Sequence, residues 1–94
     1  MLELPTLYDK LNAKTRKEVR DKYIELQNNR CWYCGRDLDG LPPKEVSDKP
    51  VSNWMFPIGF FKSKIHLQHD PDTGLTEGAV HSYCNAVLWE YFGR

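Results

Sequence analysis

Two pairs of metal-ligand residues with the same spacing constrain this chain most strongly. Cys31 and Cys34 are separated by two residues, and His81 and Cys84 repeat that separation near the other end of the sequence. Three sulfurs and one imidazole form the ligand set of a closed tetrahedral zinc site. A core built from 94 residues also needs support from a metal or another cross-link. We therefore expect a structural Zn²⁺ on these four residues.

The cysteine count and the charge balance leave few alternatives. Three cysteines cannot form a complete set of internal disulfides. Residues 1–5 lack a basic region followed by an apolar stretch, so we expect no secretory signal and a reducing cytoplasm, where clustered thiols bind metal. A redox-active Cys31–Cys34 pair is a second interpretation, although no strand–helix–strand pattern surrounds it. No apolar run is long enough to span a membrane, and a net charge of zero excludes a generally polycationic nucleic-acid coat.

Hydrophobic periodicity and turn residues predict one α+β domain over residues 1–94. Thr15 and Glu18 form a potential capping box for a helix over about residues 15–27, and Asn28-Asn29 would end it. Near the C-terminus the pattern predicts a strand, a turn, a second strand and a helix, in which Leu88 and Trp89 supply the buried face. The predicted ranges are Lys64–His69, Asp70–Gly74, Thr76–His81 and Asn85–Phe92, with Gly93 ending the helix.

Two other segments allow more than one interpretation. The first predicted helix is rich in cations, which form either a ridge that binds nucleic-acid phosphates or an ordinary solvated face; charge alone favours the solvated face. Residues 53–61 are the most apolar stretch and fit a core or a cover for the metal site, although a protein-interaction surface is a further option. The candidate phosphate-binding residues are Lys14, Arg16, Lys17 and Arg20, and the aromatic stretch includes Trp54, Phe56, Phe60 and Phe61.

Two histidines on the first predicted strand, His66 and His69, have the chemistry of a general base. They are three residues apart, so an ideal strand directs them to opposite faces. Asn85 directly follows the last cysteine and offers an oxygen donor for a hard divalent cation.

The ordered set of motifs resembles the HNH endonucleases, and within them the recombination endonuclease VII branch. The resemblance covers about residues 15–92, and its most specific piece is the run from Gly78 to Ala86. The motifs are Cys31-x-x-Cys34, His66-Leu67-Gln68-His69-Asp70, Thr73-Gly74 and His81-x-x-Cys84-Asn85-Ala86.

The resemblance implies a ββα-metal finger over about residues 64–92 and a metal-dependent DNA endonuclease. His69 would activate water for attack on a DNA phosphate, while Gln68 and Asn85 would hold one Mg²⁺ or Mn²⁺. His66 is a further candidate ligand. The zinc ion would be purely structural. DNA is the implied partner, a homodimer is one option because the endonuclease VII branch dimerises, and a cytoplasmic, phage- or prophage-encoded protein is expected.

The sequence departs from the resembling family at two positions. Gln68 stands where the family has Asp or His, and Pro71 stands where the branch often has another His. A neutral amide is a poorer ligand for a hard cation than a carboxylate. The alternative function is therefore a catalytically degenerate, zinc-stabilised DNA-binding module.

Overall fold

A computed structural model describes residues 4–51, 56 and 59–92 of the chain. The described residues form three α-helices and one two-stranded sheet, as expected for the predicted α+β class. Short 3₁₀ turns precede α1 and β1. The helices are α1 (Ala13–Leu26), α2 (Lys44–Ser47) and α3 (Ser82–Phe92), the strands are β1 (Ile65–His69) and β2 (Thr76–His81), and the 3₁₀ turns are Tyr8–Lys10 and Phe60–Lys62.

The two strands form an antiparallel hairpin with the predicted turn between them. Strand β2 has the predicted bounds, and β1 begins one residue later than predicted. Within the turn, the Gly74 N–H donates to the Asp70 carbonyl at 2.7 Å, and Gly74 has a φ of +77° that glycine adopts without strain. A shift of register between Gln68 and His69 marks a bulge at the end of β1.

Helix α1 begins two residues before the predicted start because Asn12, and not Thr15, is its N-cap. The Asn12 side chain accepts the backbone N–H of Thr15 at 2.9 Å, and the Thr15 hydroxyl in turn accepts the Asn12 N–H at 2.8 Å. The predicted capping box of Thr15 with Glu18 was therefore wrong. The stop was correct, since Asn28 and Asn29 both have positive φ values, which asparagine tolerates better than most residues.

Helix α3 follows β2 without a loop and starts three residues before the predicted position. Its residues from Cys84 to Leu88 are all buried, so the helix is covered on every side along this stretch. Leu88 is buried as predicted, whereas Trp89 is 40% exposed, which corrects the expectation that Trp89 packs against the hairpin. Gly93, Trp54 and Met55 lie outside the described residues.

The core lies where α1, the hairpin and α3 meet. Val19 and Tyr23 of α1 pack with Val80 of β2 and Val87 of α3, and Leu38 joins them from the loop that follows the first cysteine pair. Tyr23 also uses its hydroxyl, which lies 2.9 Å from the Thr76 hydroxyl. Burial of this face accounts for most of the stability of such a helix.

The N-terminal segment runs along the turn end of the hairpin. The Tyr8 N–H donates to the Gly74 carbonyl, and the Thr76 N–H donates to the Thr6 carbonyl, both at 2.8 Å. Tyr8 is thereby fixed beside His69, and their rings stack with centroids 4.1 Å apart. Among the described helices, none is both long and apolar enough to cross a membrane.

Candidate metal centre and basic cleft

The four residues predicted to bind zinc come together in the structure. Their ligand atoms all lie within 4.8 Å of one another. The His81 Nδ1 atom is 3.4 Å from the Cys34 Sγ and 3.5 Å from the Cys84 Sγ. Zn–S bonds of about 2.3 Å and Zn–N bonds of about 2.0 Å in a tetrahedron separate ligand atoms by about 3.5 to 3.8 Å. Cys31, Cys34, His81 and Cys84 can therefore hold one metal ion.

Local backbone structure brings the first pair into position. Cys31 and Cys34 lie in a tight turn closed by the bond from the Gly35 N–H to the Cys31 carbonyl, and Gly35 has a φ of +76°. The Trp32 N–H donates to the Ala79 carbonyl at 2.9 Å, which attaches this turn to the edge of β2. The second pair needs no separate loop, because His81 ends β2 and Cys84 lies one turn further in α3.

The orientation of His81 is fixed by its second ring nitrogen. Its Nε2 atom lies 2.8 Å from the backbone carbonyl oxygen of Asp37. A carbonyl oxygen can only accept, so Nε2 carries the hydrogen and Nδ1 presents its lone pair to the cysteine sulfurs. Such an outer contact is typical of histidines that bind metal in proteins. Sequence reasoning did not find the Asp37 carbonyl, because nothing in the residue pattern indicates a backbone contact across 44 positions.

The surroundings of the cysteines favour a deprotonated, anionic sulfur at Cys31. A hydrogen bond from the Cys84 thiol lowers the pKa of Cys31 to about 4, and backbone N–H groups of Cys34, His81 and Tyr33 assist it against the opposing effect of burial. The same bond raises the pKa of Cys84. Burial raises the pKa of Cys34. Metal binding at this cluster must therefore displace protons, at least from Cys84 and Cys34.

A cleft of about 450 Å³ lies between α1, β1 and the start of α3. Three cations of α1 line it, together with one histidine and one asparagine. Lys14, which was also predicted to contact phosphate, is exposed on α1 and is not part of this lining. The polar and aromatic lining comprises Tyr8, Arg16, Lys17, Arg20, His66 and Asn85.

Asn85 and His66 form the polar floor of the cleft. The Asn85 Nδ2 donates to the His66 Nδ1 at 3.0 Å, and Phe60 packs edge-on against the imidazole with ring centroids 4.7 Å apart. Burial lowers the pKa of His66 below its usual value, and the nearby charge of Arg20 lowers it further, against the carbonyls of Phe60 and Ser63. His66 is therefore neutral at physiological pH.

Two buried polar atoms beside the cleft have no hydrogen-bond partner in the described structure. One is the Asn85 Oδ1, an acceptor, and the other is the Arg20 Nε, a donor. Buried polar groups are almost always paired in folded proteins. An acceptor and a donor left open on two residues that line the same cleft suit a ligand that offers both a hydrogen-bond donor and an acceptor.

The other predicted catalytic residues lie outside this lining. His69 stacks on Tyr8, so it borders the cleft through that ring. Gln68 is only 1% exposed, and its Nε2 lies 3.0 Å from the His69 carbonyl oxygen and 3.4 Å from a carboxylate oxygen of Glu77. The structure thus brings Asn85 together with His66, the residue given only as a further candidate ligand.

Sequence reasoning missed Tyr8 altogether. Tyr8 lies in a segment without apolar periodicity, and it reaches the cleft only because the segment bonds to the hairpin turn. Its ring also contacts Arg16, whose guanidinium carbon lies 4.6 Å from the ring centroid.

A scan against protein-family models and searches of curated proteins and of solved structures give no match for this chain.

Proposed function

We propose that this chain is a metal-dependent DNA endonuclease of the HNH type, with a structural zinc ion on Cys31, Cys34, His81 and Cys84. In this proposal the hairpin and α3 form a ββα-metal finger. The observation that carries the proposal is the basic cleft, in which Asn85 and His66 line the same space as the cations of α1.

The charge of the cleft suits a phosphodiester. Arg16, Lys17 and Arg20 offer positive charge on one wall, and Arg20 has a buried Nε–H that is open to an acceptor. Guanidinium groups match the planar pairs of oxygens on a phosphate. DNA carries such groups at regular spacing, and the exposed Lys14 of α1 would extend the contact along a backbone.

The chemistry of hydrolysis needs a base and a counter-charge for the phosphate. In the proposal His69 takes the proton from the attacking water, as the resemblance implies, while Arg16 and Arg20 hold the phosphate. A divalent cation bound near Asn85 would neutralise charge on the phosphate and on the leaving oxygen. The zinc ion fixes the turn of Cys31 and Cys34 against β2 and α3 and takes no part in the reaction.

A plasmid-nicking assay tests the proposal. Zinc-loaded protein in metal-free buffer is mixed with supercoiled plasmid, and Mg²⁺ or Mn²⁺ is then added, which avoids stripping zinc with a chelator. We expect nicking only after addition of the divalent metal. The variant His69→Ala should lose nicking, and Lys22→Gln, whose side chain pairs with Glu25 and does not line the cleft, should retain it. If neither Mg²⁺ nor Mn²⁺ supports nicking by folded, zinc-loaded protein, the proposed endonuclease activity is contradicted.

A DNA-binding module without catalysis is the second candidate. The described residues that line the cleft include no aspartate or glutamate, which suits binding of an anion without a metal. The two candidates differ in the effect of Mn²⁺ on DNA affinity, measured on ice to slow cleavage. The enzyme would bind DNA more tightly when Mn²⁺ is present, because a cation held near Asn85 would attract the phosphate. The module shows no such gain.

A further inference from the structure

We infer that the basic cleft binds a phosphate together with a neighbouring sugar hydroxyl, which donates a hydrogen bond to the Asn85 Oδ1 while Arg20 donates to the phosphate. Two nucleic acids offer this pair of groups. RNA carries a 2′-hydroxyl beside every 3′-phosphate, and a nick in DNA places a 3′-hydroxyl beside a 5′-phosphate. The inference rests on the proposed function only in taking the phosphate from a nucleic acid, and it needs no divalent cation in the cleft.

The open Asn85 Oδ1 requires a hydrogen-bond donor. Asn85 is 8% exposed, and its Nδ2 donates to the His66 Nδ1. The carbonyls of Phe60 and Ser63 bond to the same imidazole and can only accept, so the one N–H of the neutral ring is used there and Nδ1 stays an acceptor. The amide is thereby fixed with its oxygen turned away from the histidine, and this oxygen has no partner in the described structure.

An intact DNA backbone cannot supply the missing donor. A phosphodiester has acceptor oxygens only, and a deoxyribose inside a strand has no hydroxyl. Intact DNA therefore satisfies the open Nε–H of Arg20 and leaves the Asn85 oxygen unpaired. A sugar hydroxyl beside the phosphate satisfies both atoms at once, and a 2′-hydroxyl is the group by which proteins distinguish RNA from DNA. The cleft of about 450 Å³ lies within the roughly 300–1,000 Å³ of small-ligand sites, so a sugar with its phosphate fits.

The aromatic side chains of the cleft favour a donor on the sugar over a donor on a base. His69 stacks on the Tyr8 ring at 4.1 Å, and the guanidinium carbon of Arg16 lies 4.6 Å from the same centroid. Two groups this close to one ring take its opposite faces, so both faces of Tyr8 are covered. Phe60 contacts three other rings at centroid distances of 4.6 to 4.9 Å. A base could stack here only by displacing these contacts.

Charge and hydrogen bonding contribute to this binding in separable ways. The described lining contains Arg16, Lys17 and Arg20 and no aspartate or glutamate, so binding of the phosphate is largely electrostatic and weakens as salt is added. The bond from a hydroxyl to the Asn85 amide joins two neutral groups, so salt changes it little. A hydrogen bond of this kind changes affinity by about tenfold. The preference for a hydroxyl should therefore persist at salt concentrations that lower the overall affinity.

Fluorescence anisotropy titrations of zinc-loaded protein, without Mg²⁺ or Mn²⁺, test the inference on two matched pairs of labelled duplexes. The first pair is nicked DNA with a 5′-phosphate at the nick, which faces either a 3′-hydroxyl or a 3′-deoxy end. The second pair is RNA and the same sequence in 2′-fluoro form, which keeps the helix shape and lacks the donor. We expect the hydroxyl member of one pair to bind about tenfold more tightly. The first pair would identify DNA ends as the ligand, and the second would identify RNA.

Two variants assign the preference to its residues. Asn85→Ala should bind both members of each pair equally, whereas Arg20→Gln should weaken binding of all four duplexes and keep the preference. If Asn85→Ala does not fold, the side-chain amide signal of Asn85 in ¹⁵N-labelled wild type replaces it, and this signal should shift more with the hydroxyl member of the preferred pair.

Equal affinities within both pairs in wild type overturn the inference. A preference that persists in folded Asn85→Ala, or an Asn85 signal that shifts equally with both members, overturns it as well. The proposed nuclease activity fails separately. Nicking without a hydroxyl preference leaves the enzyme and removes this inference, and a hydroxyl preference without nicking does the reverse.

Discussion

Gly78 lies at the point where β2, the turn of the first cysteine pair and α1 meet, and replacing it with alanine should separate them. An ideal Cβ at Gly78 would lie 2.8 Å from both the Cβ and the Cγ of Trp32 and 2.6 Å from the Gln27 Oε1. The amide of Gln27 can rotate away, but the Cβ of Trp32 is fixed to the backbone of the turn that carries Cys31 and Cys34. The turn must therefore move.

Overpacking of this kind costs about 1–3 kcal/mol. Alanine regains about 0.5–1 kcal/mol in a strand because glycine loses more backbone entropy on folding. The difference is about 0–2.5 kcal/mol. Because the Trp32 Cβ cannot rotate out of the contact, we expect a net loss in the upper half of that range in the free energy of unfolding, measured by urea denaturation of zinc-loaded protein. The bond from the Trp32 N–H to the Ala79 carbonyl should lengthen as well, so a chelator should remove zinc from Gly78→Ala faster than from wild type.

Gly40→Ala is a matched control, since the nearest atom to its ideal Cβ, the Asp37 carbonyl oxygen, is at an ordinary 3.6 Å. Its free energy of unfolding should stay within about 0.5 kcal/mol of wild type. Equal stability and equal zinc release in Gly78→Ala and Gly40→Ala would refute the close packing of the turn on β2.

Four further predictions concern α1, its C-cap and the metal centre. Gln27→Ala should lower the free energy of unfolding by about 1–3 kcal/mol in urea denaturation, because it removes bonds to both the N–H and the carbonyl of Ala79; an unchanged stability would contradict it. Arg20→Gln should weaken DNA binding and reduce the slope of log affinity against log salt by about one. Lys22 is paired with Glu25, so Lys22→Gln should have a smaller effect on both the affinity and the slope. Cys84→Ser should lose zinc and most of the folded signal in circular dichroism, because it removes one of the four ligands. Acidification should release zinc from the wild type, because protons compete with zinc for the thiolates and the imidazole. Zinc retained equally at pH 4 and pH 7 would contradict the prediction on acidification.

The hairpin and the metal cluster could be predicted from the sequence because their signals are local. The turn at Asp70–Gly74 combines residues with known turn chemistry, and the bounds of β2 were predicted correctly. The two ligand pairs can be recognised in the sequence by their residue types and spacing, and the structure brings their four ligand atoms together.

The start of α1 was harder to predict, because Asn12 and Thr15 are both good cap residues and the choice depends on which bonds form. The neighbours of the site depend on contacts between distant segments. Tyr8 reaches the cleft through bonds to the hairpin turn, and Gln27 reaches β2 across 52 positions. The predicted burial of Trp89 was wrong. The residues from Cys84 to Leu88 are buried on every side of the helix, so there is no single apolar face from which the burial of Trp89 could be predicted.

The meeting of His66 with Asn85 had no sequence signal of its own. The two residues are 19 positions apart, and they meet because of the hairpin register. In this register Ile65 pairs with His81, at the end of the hairpin where α3 begins. That register places the first turn of α3 beside the start of β1, and so beside His66. Of the two metal ligands implied by the resemblance, Asn85 lies beside His66, whereas Gln68 lies near the other end of β1.

The central claim is that one zinc ion on three sulfurs and one imidazole holds the turn of Cys31 and Cys34 to the end of β2 and the start of α3. X-ray absorption spectroscopy at the zinc edge, combined with elemental analysis of the purified folded protein, tests it most directly. We expect one equivalent of zinc with three sulfur neighbours at about 2.3 Å and one nitrogen at about 2.0–2.1 Å. Less than half an equivalent of zinc in well-folded protein, or a shell without three sulfurs, would contradict the claim.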